Sequence, residues 1–138
     1  VWVGVLEIST GKGLAVNAGH EHPVLRQAGG SYELVEYRHA MPIATLSGLR
    51  FKQREFWLYP GDSLFVYTDG VAEATNADNE LFGCDRMLDA LNRDADAEPG
   101  QILENVMQDI NRFVDEAEQF DDITMMCFRY LGSPDASP

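Results

Sequence analysis

Three short stretches hold side chains whose type and spacing could do chemistry: Tyr67-Thr-Asp-Gly70, Phe120-Asp-Asp-Ile-Thr124 and Val16-Asn-Ala-Gly-His-Glu-His-Pro23. In the first, Asp69 and Gly70 follow a nearly continuous apolar run, Leu64 to Tyr67. Asp-Gly there reads either as a hairpin turn or as a strand end that holds one carboxylate rigidly at the rim of a sheet, a placement suited to a metal ligand. In the second, Asp121 and Asp122 are adjacent carboxylates that repel each other unless they are solvated or meet a cation. Asp69 and Asp121 are 52 residues apart in the chain. Only a fold in which their strands are neighbours brings them together.

The third stretch offers His20 and His22 in an H-x-H arrangement. Zinc would need a third His or Cys at a suitable spacing, and the sequence has none. A loop closed by Asn17 and Gly19 is the plainer reading. A fourth stretch, Asp94-Ala-Asp-Ala-Glu-Pro-Gly100, begins like a calcium-binding loop. It then has Pro99 where that loop needs glycine and Asn105 where it needs a bidentate glutamate, so it reads as a polar loop ahead of a helix. No Gly-rich phosphate loop, G-x-S-x-G or cysteine-centred nucleophile motif is present.

The elements that must position these residues change character along the chain. Val1–Ile8 and Leu14–Ala18 read as a hairpin, as do Val24–Gln27 and Tyr32–Val35 around Gly29-Gly30. Phe51–Leu58 and Ser63–Thr68 are strands separated by Tyr59-Pro-Gly-Asp62, and the second has the composition of a strand buried on both faces. Cys84–Asn92 and Gly100–Ala117 follow helical spacing, the latter with Ile102, Leu103, Val106, Ile110, Phe113 and Val114 on one side and Pro99 in its first turn. Ile123–Tyr130 returns to strand composition. Strands, then helices, then a strand predict an α+β fold with helices packed against one side of antiparallel sheet.

The chain has 138 residues, 45% of them hydrophobic and 24% charged, and a net charge of −13. That is globular composition, and at this length a core forms without disulfide or metal staples. The whole charge excess lies between Asp69 and Asp122, where sixteen acidic residues face three basic ones. Such a surface repels phosphate backbones, so nucleic acid is not an expected partner. No apolar run approaches the ~20 residues that span a bilayer, and no membrane contact is expected. Cys84 and Cys127 are lone thiols in apolar surroundings, which suits a reducing compartment and predicts a cytoplasmic location. The strand-like start, without a basic segment or an initial Met, reads as part of a longer protein rather than as a signal peptide.

Taken in order, residues 17–25 (NAGHEHPVL), 58–83 (LYPGDSLFVYTDGVAEATNADNELFG) and 120–128 (FDDITMMCF) resemble the C-terminal part of bacterial stage II sporulation E-like phosphatases, within the metal-dependent, protein phosphatase 2C-like superfamily. The resemblance implies an antiparallel β-sandwich flanked by helices, with two Mg2+ or Mn2+ ions at one end. It assigns metal ligation to Asp69 and Asp121, with Asp122 beside them, and a shaping role near the site to Asn17, Gly19, His20 and Gly70. It implies hydrolysis of phosphoserine or phosphothreonine on a regulatory protein, such as an anti-sigma-factor antagonist, by metal-activated water. Ions roughly 4 Å apart can share a water, lower its pKa and offset phosphoryl charge.

Family members also carry an N-terminal half with a further metal-binding Asp, in a motif resembling G-D-V-x-G-H-G that no stretch here matches. Residues 1–131 are therefore expected to be the C-terminal portion of the domain, with 132–138 a mobile tail. Exposed strand edges then invite a homodimer. The alternative is a non-catalytic fragment or pseudo-phosphatase that serves as a protein-interaction module.

Overall fold

The computed structural model describes residues 1–36, 41–45, 47–48, 50–117 and 121–133. Its elements run β1 (Trp2–Glu7), β2 (Lys12–Asn17), β3 (Val24–Arg26), β4 (Tyr32–Leu34), β5 (Arg54–Trp57), β6 (Ser63–Tyr67), α1 (Asp69–Ala72), α2 (Gly83–Asn92), α3 (Pro99–Val114) and β7 (Met125–Arg129). They form two antiparallel sheets, one ordered β1-β2-β5 and the other β4-β3-β6-β7. Both expected hairpins form, β1 with β2 and β3 with β4.

The principal core lies between the four-stranded sheet and the helices. Phe65 and Tyr67, stacked with ring centroids 5.7 Å apart, pack with Val24, Tyr32, Met87, Leu91, Ile102, Val106 and Ile110. The alternate residues of β6 and β3, Leu64 and Leu25, are register partners and face the other sheet. This two-sided burial explains why Ser63–Tyr67 is apolar at nearly every position. Each helix needs only one apolar stripe: the buried residues of α3 are Ile102, Val106 and Ile110, spaced four apart. The layers are therefore helices, sheet, sheet, which is the α+β arrangement expected, with the second sheet on the face opposite the helices.

The boundaries differ from expectation in instructive places. The strand expected over Phe51–Leu58 is formed at Arg54–Trp57, in register with Lys12–Ala15 of β2, and the Leu58 amide adds a bond to the Gly11 carbonyl at 2.9 Å. α3 stops at Val114 rather than Ala117, where Asp115 takes a positive φ of 52°. After β6 the chain does not make a hairpin. Thr68 stays extended and Asp69 opens the single-turn helix α1. Of the expected tail, residues 134–138 lie outside the described residues, as does Phe120.

Buried or half-buried arginines tie the α2–α3 connection to the sheet. Arg26 of β3, 3% exposed, pairs with Asp96, which is 86% exposed, and donates to the Gly30 carbonyl. Arg129 of β7 donates to the carbonyls of Ala97 at 2.6 Å and Asp96 at 3.2 Å, and reaches Glu98 at 3.4 Å. The acidic loop that begins like a calcium site thus serves as a counter-charge for two sheet arginines.

Candidate functional site

The position of β6 decides where the candidate ligands meet. Because β3 and β7 both run antiparallel to it, their N-terminal ends flank its C-terminal end. Tyr67 is opposite Met125, and one step further the Thr68 amide donates to the Thr124 carbonyl at 3.0 Å. Thr68 completes the junction through its side chain: its hydroxyl accepts from the Thr124 amide at 3.0 Å and donates to the Asp122 carbonyl at 3.1 Å. One hydroxyl therefore sets the spacing between the chain at Asp69 and the chain at Asp121 and Asp122.

Gly70 completes that spacing from the other side. A Cβ built on it would lie 2.5 Å from the Asp122 carbonyl oxygen and 3.1 Å from its carbon. No side chain fits between the two segments, so the glycine is required by contact rather than by torsion. The carboxylates themselves face outward. Asp69 and Asp121 are both exposed, and each turns one oxygen onto a neighbouring amide, Gly70 N–H at 3.1 Å and Asp122 N–H at 2.8 Å. Both are thereby oriented in part by their own backbones. Asp122 contributes its main chain to the junction and exposes its side chain.

The Asn17–Pro23 connection arrives at the same end, since continuing the β3–β6 register past Val24 and Phe65 carries it towards Thr68. Asn17, buried at the end of β2, ties that loop to itself. Its Nδ2 donates to the carbonyls of His20 at 2.8 Å and Glu21 at 3.2 Å, and its Oδ1 accepts the His20 amide at 2.8 Å. Gly19 takes a φ of +72° within this loop, and a Cβ there would strike Pro42. His20 Nδ1 lies 3.3 Å from the Glu21 carbonyl. Beneath the rim, the Tyr67 phenol is shifted strongly upward, first by burial, then by its hydrogen bond to the Cys84 thiol, and least by the charge of Glu21.

The sequence-selected residues thus converge on one sheet end: Asn17, Gly19 and His20 on one flank of β6, Asp69 and Gly70 at its tip, Asp121 and Asp122 on the other flank. Among the described residues no three His, Cys, Asp or Glu side chains gather closely enough to hold a metal ion by themselves. That leaves two outward carboxylates, a donor set that fits a hard divalent cation, since Mg2+ is commonly held by one or two carboxylates with water completing its shell. Thr68 is the junction residue that pattern reading passed over. Its signal was present, a hydroxyl between an apolar strand and the Asp, but its partner lies more than fifty residues away.

Comparisons with known proteins concern the chain as a whole. The family model for stage II sporulation protein E matches residues 1–131. Protein IcfG of a Synechocystis species is 32% identical over 127 residues, 91% of this chain and 20% of that protein. The solved RsbU and RsbW domains of a Mycobacterium tuberculosis protein are 26% identical with a TM-score of 0.72, over 96% of this chain and 36% of theirs. The manganese-soaked phosphatase domain of the cell fate determinant SpoIIE from Bacillus subtilis superposes with a TM-score of 0.67 at 13% identity. It covers all of this chain and 58% of its own, and supports the fold alone. The chain spans a fifth of the curated relative's length and between about a third and three-fifths of these solved chains.

Proposed function

The chain belongs to the stage II sporulation protein E family, and from that premise we propose that it forms the C-terminal part of a protein serine/threonine phosphatase, supplying Asp69 and Asp121 as metal ligands. The observation that carries the reading is the junction of Thr68 with Thr124 and Asp122, which brings two outward carboxylates from distant sequence to one rim. Mg2+ or Mn2+ bound there would supply the positive charge and the acidified water that phosphate-ester hydrolysis requires. The residues of the chain do the rest. Asp69 and Asp121 fix the cation position, Thr68 and Gly70 hold their segments in register, and Asn17 keeps the His20 loop folded beside them. Asp122 acts as a neighbouring or alternate ligand.

The acidic character of the chain fits this scheme. A phosphoserine or phosphothreonine dianion approaching residues 69–122 meets net negative charge, and only a bound divalent cation reverses that sign locally. The substrate we propose is a phosphorylated regulatory protein, an anti-sigma-factor antagonist being the type the family suggests. Free thiols at Cys84 and Cys127 accord with a cytoplasmic setting, and among the described residues no helix is long and apolar enough to cross a membrane.

The test is calorimetric titration of Mn2+, with turnover of a phosphoserine peptide measured alongside. Asp69→Asn and Asp121→Asn are each expected to lower Mn2+ affinity and any turnover by about a hundredfold or more, since even residues behind a ligand cost 10–100-fold. Equal Mn2+ binding by the native chain and both variants would sink the assignment. A second reading, a non-catalytic interaction module, is favoured by the absence of a three-ligand group among the described residues. It predicts no Mn2+ binding and no turnover in any of the three proteins.

A further inference from the structure

A cavity of about 720 Å³ lies between the two sheets, a volume typical of small-molecule sites. Two aromatic rings leave this space by lying down on the three-stranded sheet instead of standing across the gap. Phe56 covers Gly13, its register partner on β2, and Trp2 covers Gly4, two residues along β1. A Cβ at either glycine would collide with the ring above it. The facing sheet contributes Leu25 and Leu64, so the interior of the cavity is apolar on both sides.

The opening is cationic. Arg50 and Lys52 line it and are exposed, and the ion pairs of the described residues leave both unmatched. Arg54 lines it too but already has a partner, so the available charge rests on the other two. Of the acidic residues there, Glu55 pairs with Lys12 at 3.0 Å, and Glu36 offsets only one of the two cations. The opening thus keeps positive charge in a chain whose net charge is −13. Asn17 also lines the cavity, but its side chain is engaged with the His20 loop. An apolar interior with unmatched cations at its mouth is complementary to a molecule with an apolar body and one anionic group.

We propose that this cavity binds a small amphipathic anion, its apolar body between Phe56 on one sheet and Leu25 and Leu64 on the other, its carboxylate or sulfonate at Arg50 and Lys52. Removal of the apolar body from water provides the affinity, and the two cations fix which end points outward. The inference goes beyond the phosphatase reading and does not rest on it, since Asp69, Asp121 and Asp122 take no part in the cavity.

The experiment is a fluorescence titration of the full chain with anilinonaphthalene sulfonate, an aromatic anion, beside phenylnaphthylamine, which has the same rings and no charge. We expect saturable binding of one anion per chain, tighter than that of the amine, and a urea midpoint that rises with anion concentration, as binding to the folded state requires. Arg50→Gln with Lys52→Gln is expected to weaken the anion about tenfold and leave the amine unchanged, whereas Glu36→Gln tightens the anion roughly two- to fivefold. Arg93→Gln on α2 is expected to change neither. Naphthoate and dodecanoate, each with one carboxylate, then compete with the probe. Displacement by either upholds the proposal and tells a ring from an alkyl chain. Equal affinity for the two probes, a urea midpoint lowered by the anion, unchanged affinity in the folded double variant, or displacement by neither carboxylate overturns it. Should the double variant fail to fold, Glu36→Gln carries the test, and affinity that does not rise overturns the proposal. Anion binding that is lost as the chain dimerises at high concentration would assign the cavity to a second copy, and overturns it as well.

Discussion

At Thr68 a single hydroxyl carries two of the hydrogen bonds that join the end of β6 to the segment entering β7. Thr68→Val keeps the shape and removes both bonds. The groups it strands are near solvent, so the expected stability loss is only about 1 kcal/mol, read as a lower urea midpoint. Mn2+ affinity is expected to fall more noticeably, about tenfold, because the spacing of Asp69 from Asp121 relaxes. Thr68→Ser should restore both quantities; stability restored without affinity would contradict a positioning role. Gly70→Ala tests the same junction from its other side. With no room between the added methyl and the Asp122 carbonyl, the segments must separate, at a cost of about 1–3 kcal/mol and with loss of Mn2+ binding in calorimetry. Asp69 and the Asp121 pair drew notice in the sequence because adjacent or glycine-flanked carboxylates at strand ends are chemically conspicuous, but the residues alone left a turn and a solvated loop open, and the family resemblance carried their assignment to metal. Thr68 drew none, since its meaning depends on a partner that only the fold brings near.

Among the elements, the two hairpins and α3 could be read directly: short glycine-bearing turns and a regular apolar spacing are local properties. The one-turn helix α1 could not, because four residues give no periodicity to detect and Asp-Gly suits a turn equally well. The pairing of β3, β6 and β7 was equally hidden, being set by packing between distant parts of the chain. The α2–α3 connection shows how an element can mislead. Its acidic residues suggest calcium, yet Asp96 and Glu98 instead meet Arg26 and Arg129. Asp96→Ala should leave the Arg26 guanidinium, nearly inaccessible to water, with the Gly30 carbonyl as its remaining partner. A loss of about 1–3 kcal/mol is expected, together with faster amide hydrogen exchange across residues 94–98. Unchanged exchange there would show that Arg129 alone secures the loop.

For the molecule as a whole, the core fixes a pH limit. Burial raises the Tyr32 phenol from its ordinary value of 10.0 to about 12, with the charge of Cys127 next in importance, and burial moves Tyr67 in the same direction. The unfolded chain loses these phenolic protons near pH 10 while the folded chain keeps them. The folded state therefore binds more protons above that pH, and stability declines as pH rises. Stability should hold below about pH 10 and fall between there and about pH 12. Urea midpoints followed across that range check it, and a flat profile would mean the two phenols are already accessible to water. The same core also orders events in time. β6 lies between β3, some forty residues earlier, and β7, some sixty residues later. During synthesis β1 can close on β2 and β3 on β4 at once, while β6 emerges with one flank vacant until Met125–Arg129 has left the ribosome. Asp69 thus leaves the ribosome some fifty residues ahead of Asp121, and the Thr68 junction that sets the two segments side by side can close only after that stretch has followed.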